Sequence, residues 1–135
     1  MSEEEAKELY RKIGDVPCAA TDGEIVSFNS IGFHHLILKN GIRRNGRDIA
    51  RRFALLPYVS EIVRAESFLV SRNEKKVQRR EYRHKRKAFI LRKAVFWKLS
   101  GKTPVGEAIV VIRQFYGGKK HFLSVYPRKN KKLPT

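Results

Sequence analysis

The sequence predicts an α+β fold, with N-terminal helices packed on a C-terminal antiparallel β-meander. Three observations predict it. Apolar residues recur at helical spacing in the first half, at Leu9 and Ile13 and again at Ile49, Phe53 and Leu56. Past residue 67 the runs 88–99, 107–115 and 120–126 turn β-branched and aromatic. Gly117-Gly118, between the last two runs, is a hairpin signal. With 135 residues, 41% of them apolar, the chain has room for one domain with an ordinary core.

The elements follow in order. Ser2 caps a first helix with Glu5 as its capping-box partner, and Gly14 stops it. Residues 15–24 read as a loop, with Pro17 and Asp22-Gly23. Glu24 to Phe28 reads as a short strand. Asn29 or Ser30 caps a helix from Ile31 to Lys39, which Asn40-Gly41 ends. A helix over 47–56 follows the Asn45-Gly46 turn, Pro57 breaks it, and 58–66 is another. Phe68 to Val70 is brief and apolar, and 74–87 is a charge run. The boundaries read as an acidic helix and loop (1–23), an α+β domain (24–127) and a basic tail (128–135).

A two-residue turn at Gly117-Gly118 sets an expected register. Gln114 then faces His121, Ile112 faces Leu123 and Val110 faces Val125, on the apolar side that meets the helices. Arg113 faces Phe122, Val111 faces Ser124 and Ile109 faces Tyr126 on the other side. His121 and Ser124 then fall on opposite faces, and a one-residue slip changes that.

Charge narrows the function. There are 30 Lys+Arg against 13 Asp+Glu, a net +17. Seven of the acids lie in residues 1–24, so the remainder is more basic still. A body of that charge calls for a polyanion, and nucleic acid is the default. Residues 74–93 hold ten bases with Tyr82, His84 and Phe89 interleaved, the pattern of a phosphate-tracking strip with stacking rings. One cysteine, Cys18, excludes an intramolecular disulfide framework. No P-loop, H-E-x-x-H or G-x-G-x-x-G occurs, and the acids of the basic body stand mostly apart, so no metal or other cofactor is expected. The longest apolar run, Ala108 to Ile112, is too short to span a membrane. The start Met-Ser-Glu-Glu-Glu is acidic where a secretion signal is basic, which points to the cytoplasm, the protein's own or that of a target cell.

Metal-free phosphoryl chemistry on RNA needs a base, an acid and cations for the developing charge. His34 and His35 point about 100° apart on their helix, so one of them serves a site at most. Lys39, four residues from His35, favours a neutral imidazole there. Arg113 offers a bidentate fork for phosphate, with Ser124 and Tyr126 on its face. Two structural histidines and a solvated outer sheet face are the plainer alternative.

Phe28-Asn29-Ser30, Gly32-Phe33, His35-Leu36, Arg52 with Leu55 or Leu56, Val111-Ile112-Arg113-Gln114, Gly118-Lys119, His121-Phe122, Ser124-Val125 and Pro127 form a familiar pattern. It resembles small phage- and toxin-associated domains of the barnase–EndoU–colicin–RelE ribonuclease superfamily. The resemblance covers most of 24–127. It implies helices packed on an antiparallel sheet with a cleft on the sheet, and metal-free RNA cleavage leaving a 2′,3′-cyclic phosphate. By position it makes His35 the helix histidine, Arg113 the strand arginine, and His121 and Ser124 the polar positions of the last strand. Barnase-type members use a glutamate base in the sheet, whereas Glu107 lies near the start of its strand.

The resulting expectation is a metal-independent endoribonuclease, toxin-like or phage-derived. His35 is its base or acid, and Arg113 stabilises the phosphorane with help from Lys39. His121 or Tyr126 is the second proton-transfer group, and Ser124 orients the phosphate. Arg52, Arg79, Arg83, Arg86, Lys119 and Lys120 contact the nucleic acid. The partners expected are RNA, tRNA among the candidates, and an acidic inhibitor or immunity protein, with no membrane. The alternative is a basic RNA-binding protein without turnover.

Overall fold

Ser2 accepts from the Glu5 amide and the Glu5 carboxylate accepts from the Ser2 amide, so α1 (Glu3–Ile13) starts on the expected capping box. Its Ala6 and Tyr10 are buried, and three glutamates in the first turn suit the positive end of the helix dipole. The computed structural model describes residues 1–65, 68–83 and 86–129, without the side chains of 68 and 80–87. His84, Lys85 and the tail from 130 lie outside the described residues.

The segment expected as a loop after α1 contains a strand, β1 (Asp15–Cys18), which pairs antiparallel with β2 (Glu24–Ser27). Val16 and Cys18 alternate into the core, and Pro17 is tolerated because β1 is a sheet edge. Asn29 caps α2 (Ser30–Ile37). That helix ends sooner than expected. Leu38–Lys39 (β3) pairs with Ile42–Arg43 (β4), because Asn40 and Gly41 both take positive φ and close a hairpin rather than a helix cap. Then come α3 (Gly46–Leu55), capped by Asn45, a 3₁₀ turn through Pro57, and α4 (Val59–Arg64).

Four strands follow: β5 (Phe68–Arg83), β6 (Arg86–Thr103), β7 (Gly106–Phe115) and β8 (Lys120–Pro127). The charge run 74–87 is thus largely strand. Among the described residues β5 is an edge strand, and its exposed Arg72, Glu74, Lys75, Lys76 and Arg79 disfavour edge-to-edge association. The sheet order is β1-β2-β8-β7-β6-β5. Its one parallel pair, β2 with β8, adds the N-terminal hairpin to the meander. β6 meets β7 only from Ala94 to Thr103, so 76–83 and 86–93 form a two-stranded ribbon beyond β7. Phe89 and Leu91 on that ribbon are exposed.

The helices pack on one face of the sheet. Phe122 of β8 stacks on Phe28 and meets Tyr10, whose hydroxyl donates to the Asn29 carbonyl at 2.5 Å. α2 approaches β8 so closely because residue 32 is glycine. A Cβ there would strike the Phe122 carbonyl and lie 2.7 Å from both the Phe122 ring and the Tyr10 hydroxyl. α1 and β1 share this core with the later helices and strands. The opposite face carries a second apolar layer of Ala94, Phe96, Ile109, Val111 and Leu123.

The β7–β8 register agrees with expectation only at its lower end, where Ile109 faces Tyr126, Val110 faces Val125 and Val111 faces Ser124. A bulge then intervenes, so that Ile112 faces Phe122 and Arg113 faces His121. The extra residue is Leu123, which joins the second layer while Phe122 fills the main core. Two large apolar side chains in sequence are each buried, on opposite sides of the sheet. The expected parity of His121 is therefore overturned, and it shares a face with Arg113, Ser124 and Tyr126.

Candidate nucleic-acid cleft and active site

β7 and β8 present Arg113, His121, Ser124 and Tyr126 on the face away from the main core. The sheet edge beyond the short β2 pairing is flanked by α2 and α3, which bring His35, Asp48 and Arg52 alongside. Two groups of residues result.

The first surrounds a cleft of about 560 Å³, lined by Asn29, Ile31, Gln78, Arg79, Arg113, Phe115, Lys119, Lys120 and His121 among others. The Arg113 guanidinium lies 4.6 Å from the centre of the Phe115 ring, and that of Arg79 lies 4.7 Å from the same ring. Two cations on one ring repel, and an anion between them relieves the repulsion. Arg113 Nε donates to His121 Nε2 at 3.0 Å. This bond takes the imidazole's acceptor nitrogen and orients the guanidinium, leaving its terminal nitrogens for a phosphate. Burial first, then Arg113, lower the His121 pKa to about 4, so the ring is neutral at pH 7, as an acceptor must be. Burial and then Arg79 also lower the pKa of Arg113. Lys120 is less free than expected. It is buried, pairs with Glu24 and lies over Trp97, because its register position opposite Val26 turns it toward the core.

The second group is a chain of charges at i, i+4 spacing. Asp48 accepts from Arg52 Nε at 2.9 Å and pairs with Arg44 at 3.5 Å. Arg52 Nη1 donates to Ser124 Oγ at 2.7 Å and to the Val125 carbonyl, and its guanidinium lies over the Tyr126 ring. Arg44 donates to the His35 carbonyl, and its Nη2 sits 3.5 Å from His35 Nδ1. The Arg44 side chain is only 7% exposed, so its charge acts in a weakly screened environment. His35 is half-buried; burial first, then Arg44, Arg52, Arg113 and Lys39, lower its pKa to about 4. It too is neutral at pH 7.

The expected residues are thus distributed. Arg79, Arg113, Lys119, Lys120 and His121 line the cleft. Ser124, Tyr126 and Arg52 form the adjoining group, and His35 lies in the field of both Arg52 and Arg113. Lys39 is exposed on β3 and is the last of the four cations acting on His35. Arg83 and Arg86 face each other at the end of the ribbon, and their side chains lie outside the described residues. His34 is exposed on the wall of a different, aromatic pocket with Tyr10 and Phe33. Glu107 is held by Ser100 and Arg128 at the far end of β7. Sequence reading missed Arg44 and Asp48, although Arg44, Asp48 and Arg52 at successive fourth positions were a legible signal. Among the described residues no group of three or more His, Cys, Asp or Glu side chains is placed to hold a metal ion, and no helix is long and apolar enough to cross a membrane.

Comparison with family models, curated proteins and solved structures finds no match. The chemistry of this face is the ground for a function.

Proposed function

We propose that the protein is a metal-independent endoribonuclease acting on one face of its sheet. The observation that carries this reading is the Arg79–Phe115–Arg113 arrangement in a cleft beside neutral His121, with neutral His35 in the field of Arg113. Arg113 and Arg79 receive the non-bridging oxygens of the scissile phosphate and stabilise the charge of the phosphorane. His35 takes the proton of the ribose 2′-hydroxyl. The 2′-oxygen bonds to phosphorus, the bond to the 5′-oxygen breaks, and a 2′,3′-cyclic phosphate and a 5′-hydroxyl result. Bound phosphate offsets the cations around His35 and raises its pKa from about 4 toward the range where imidazole exchanges protons efficiently. His121 is a positioning residue, because its Nε2 is engaged by Arg113. The Tyr126 hydroxyl is then the candidate to protonate the 5′-oxygen, and Ser124, held by Arg52, orients the phosphate.

One observation favours a second reading, RNA binding without turnover. With His121 engaged and Arg44 against Nδ1 of His35, neither imidazole is free at both nitrogens. Incubation of purified protein with total RNA and a tRNA mixture in excess EDTA decides between them. Fragments with cyclic phosphate ends, lost in His35→Ala and Arg113→Ala, support the enzyme. Intact RNA retarded on a gel supports the binding protein, and wild-type cleavage by both variants refutes this site.

A further inference from the structure

The sheet edge beside the cleft carries a second hollow, of which the proposed cleavage site uses only Arg52 and Tyr126. It measures about 410 Å³ and lies between α3 and the end of β8, walled by Arg47, Arg51, Arg52, Tyr126 and Lys129 with Asp48. Asp48 offers it no free charge, since one oxygen accepts from Arg52 and the other pairs with Arg44. Arg47, Arg51 and Lys129 have no hydrogen-bond or ion-pair partner among the described residues. Arg47 and Arg51 stand four apart on α3, where like charges destabilise a helix unless an anion lies between them.

We propose that this hollow is a second phosphodiester subsite, gripping the RNA chain where it leaves the cleft. The proposal rests on RNA being the ligand of this face. Arg52 joins the two regions, because it walls the hollow and also bonds Ser124. Along the backbone β8 runs from His121 in the cleft to Tyr126 on the wall of the hollow, about 13 Å at ~3.3 Å per ladder step, because the bulged residue adds no step. A ligand filling both is a chain of several nucleotides, and a dinucleotide reaches only one.

The test uses 2′-O-methyl RNA, which binds but lacks the attacking hydroxyl, so cleavage does not enter. Affinities of the full-length protein for an eight-nucleotide oligomer and a dinucleotide are measured by fluorescence anisotropy between 50 and 200 mM salt. Arg47→Gln/Arg51→Gln is compared with Lys7→Gln/Lys12→Gln, which removes the same charge from exposed positions on α1. For single strands each lost phosphate contact lowers the salt slope by about 0.7, so the first variant falls by about 1.4. It then loses about seven-fold less affinity over that salt range than wild type. Dinucleotide affinity stays as in wild type, and the α1 variant keeps the wild-type slope. An unchanged slope in Arg47→Gln/Arg51→Gln overturns the subsite, as does an equal drop in the α1 variant. Failure of wild type to bind the oligomer overturns RNA as the ligand, whereas binding without cleavage of ordinary RNA overturns catalysis alone.

Discussion

Acidification from pH 7 to pH 5 destabilises this protein through two imidazoles. His35 and His121 each have a pKa lowered from 6.5 to about 4, burial being the largest cause and neighbouring arginines the next. At pH 7 both rings are neutral folded or unfolded, so neither shifts the balance. Between 6.5 and 4 the unfolded chain takes up protons that the folded one refuses, and stability falls with falling pH. At pH 5 buried His121 costs about 2 kcal/mol by this linkage and half-buried His35 about half that, because solvent screens part of its shift, or about 3 kcal/mol together. A chain of this size loses about 3–5 °C in Tm per kcal/mol, so the melting temperature drops by about 9–15 °C. The lowered carboxylates Asp48 and Glu107 lose their contribution at more acid pH, below their ordinary values of 3.8 and 4.5, so they barely enter this window. Circular dichroism melts at pH 7 and pH 5 measure the drop, and His35→Asn/His121→Gln, which cannot titrate there, melts with a much smaller one. An equal drop in the variant and wild type refutes the assignment of buried neutral imidazoles.

Other outcomes follow from the same geometry. Arg44→Gln removes the cation 3.5 Å from His35 Nδ1, the largest charge acting on that ring after burial, so the His35 pKa rises above about 4, which an NMR titration of the ring reads directly; an unmoved titration refutes the contact. Arg113→Lys keeps the charge but not the fork held by His121, so cleavage falls by at least about ten-fold while thermal stability changes little; equal rates refute bidentate phosphate binding. Gly32→Ala forces α2 off the Phe122 carbonyl and costs about 1–3 kcal/mol, seen as a lowered midpoint in urea. Deletion of Leu123 removes the bulge but leaves Ile112 opposite Phe122 and Arg113 opposite His121 in a regular ladder, so gel retardation of RNA persists; its loss refutes this register.

Local chemistry was legible where one short stretch of chain sufficed. Ser2 with Glu5 and Asn29 before Ile31 make their caps from neighbours alone, whereas the hairpin turn falls on Tyr116-Gly117, where the Gly118 amide donates to the Phe115 carbonyl, and not on Gly117-Gly118 as expected. The helix over Ile49–Phe53 followed from spacing, because one buried stripe on a 3.6-residue period has few other solutions, and α4 from the break at Pro57. The strand at Val16–Cys18 and the long β5 were not legible, since each is stabilised by a partner strand rather than by its own composition. The hairpin at Asn40-Gly41 was misread because the same dipeptide ends a helix or closes a two-residue turn. Most of the cleft cations could be named in advance, but their grouping could not. Arg79 and Arg113 stand 34 positions apart and share the Phe115 ring only because β5, β6 and β7 are adjacent.

By itself the sequence determined the α+β class, the excess of positive charge and the histidine, arginine and hydroxyl side chains on which the proposed function draws. These properties depend on composition and on periodicities a few residues long. Only the tertiary structure decided which of those residues share a face. A single bulge at Leu123 moved His121 from the side opposite Ser124 to the side of Arg113. No local rule foretells it, because its cause is collective. Phe122 must fill the core left by Gly32 and Phe28, while Leu123 must fill the second layer behind it, and the chain accommodates both by gaining one residue.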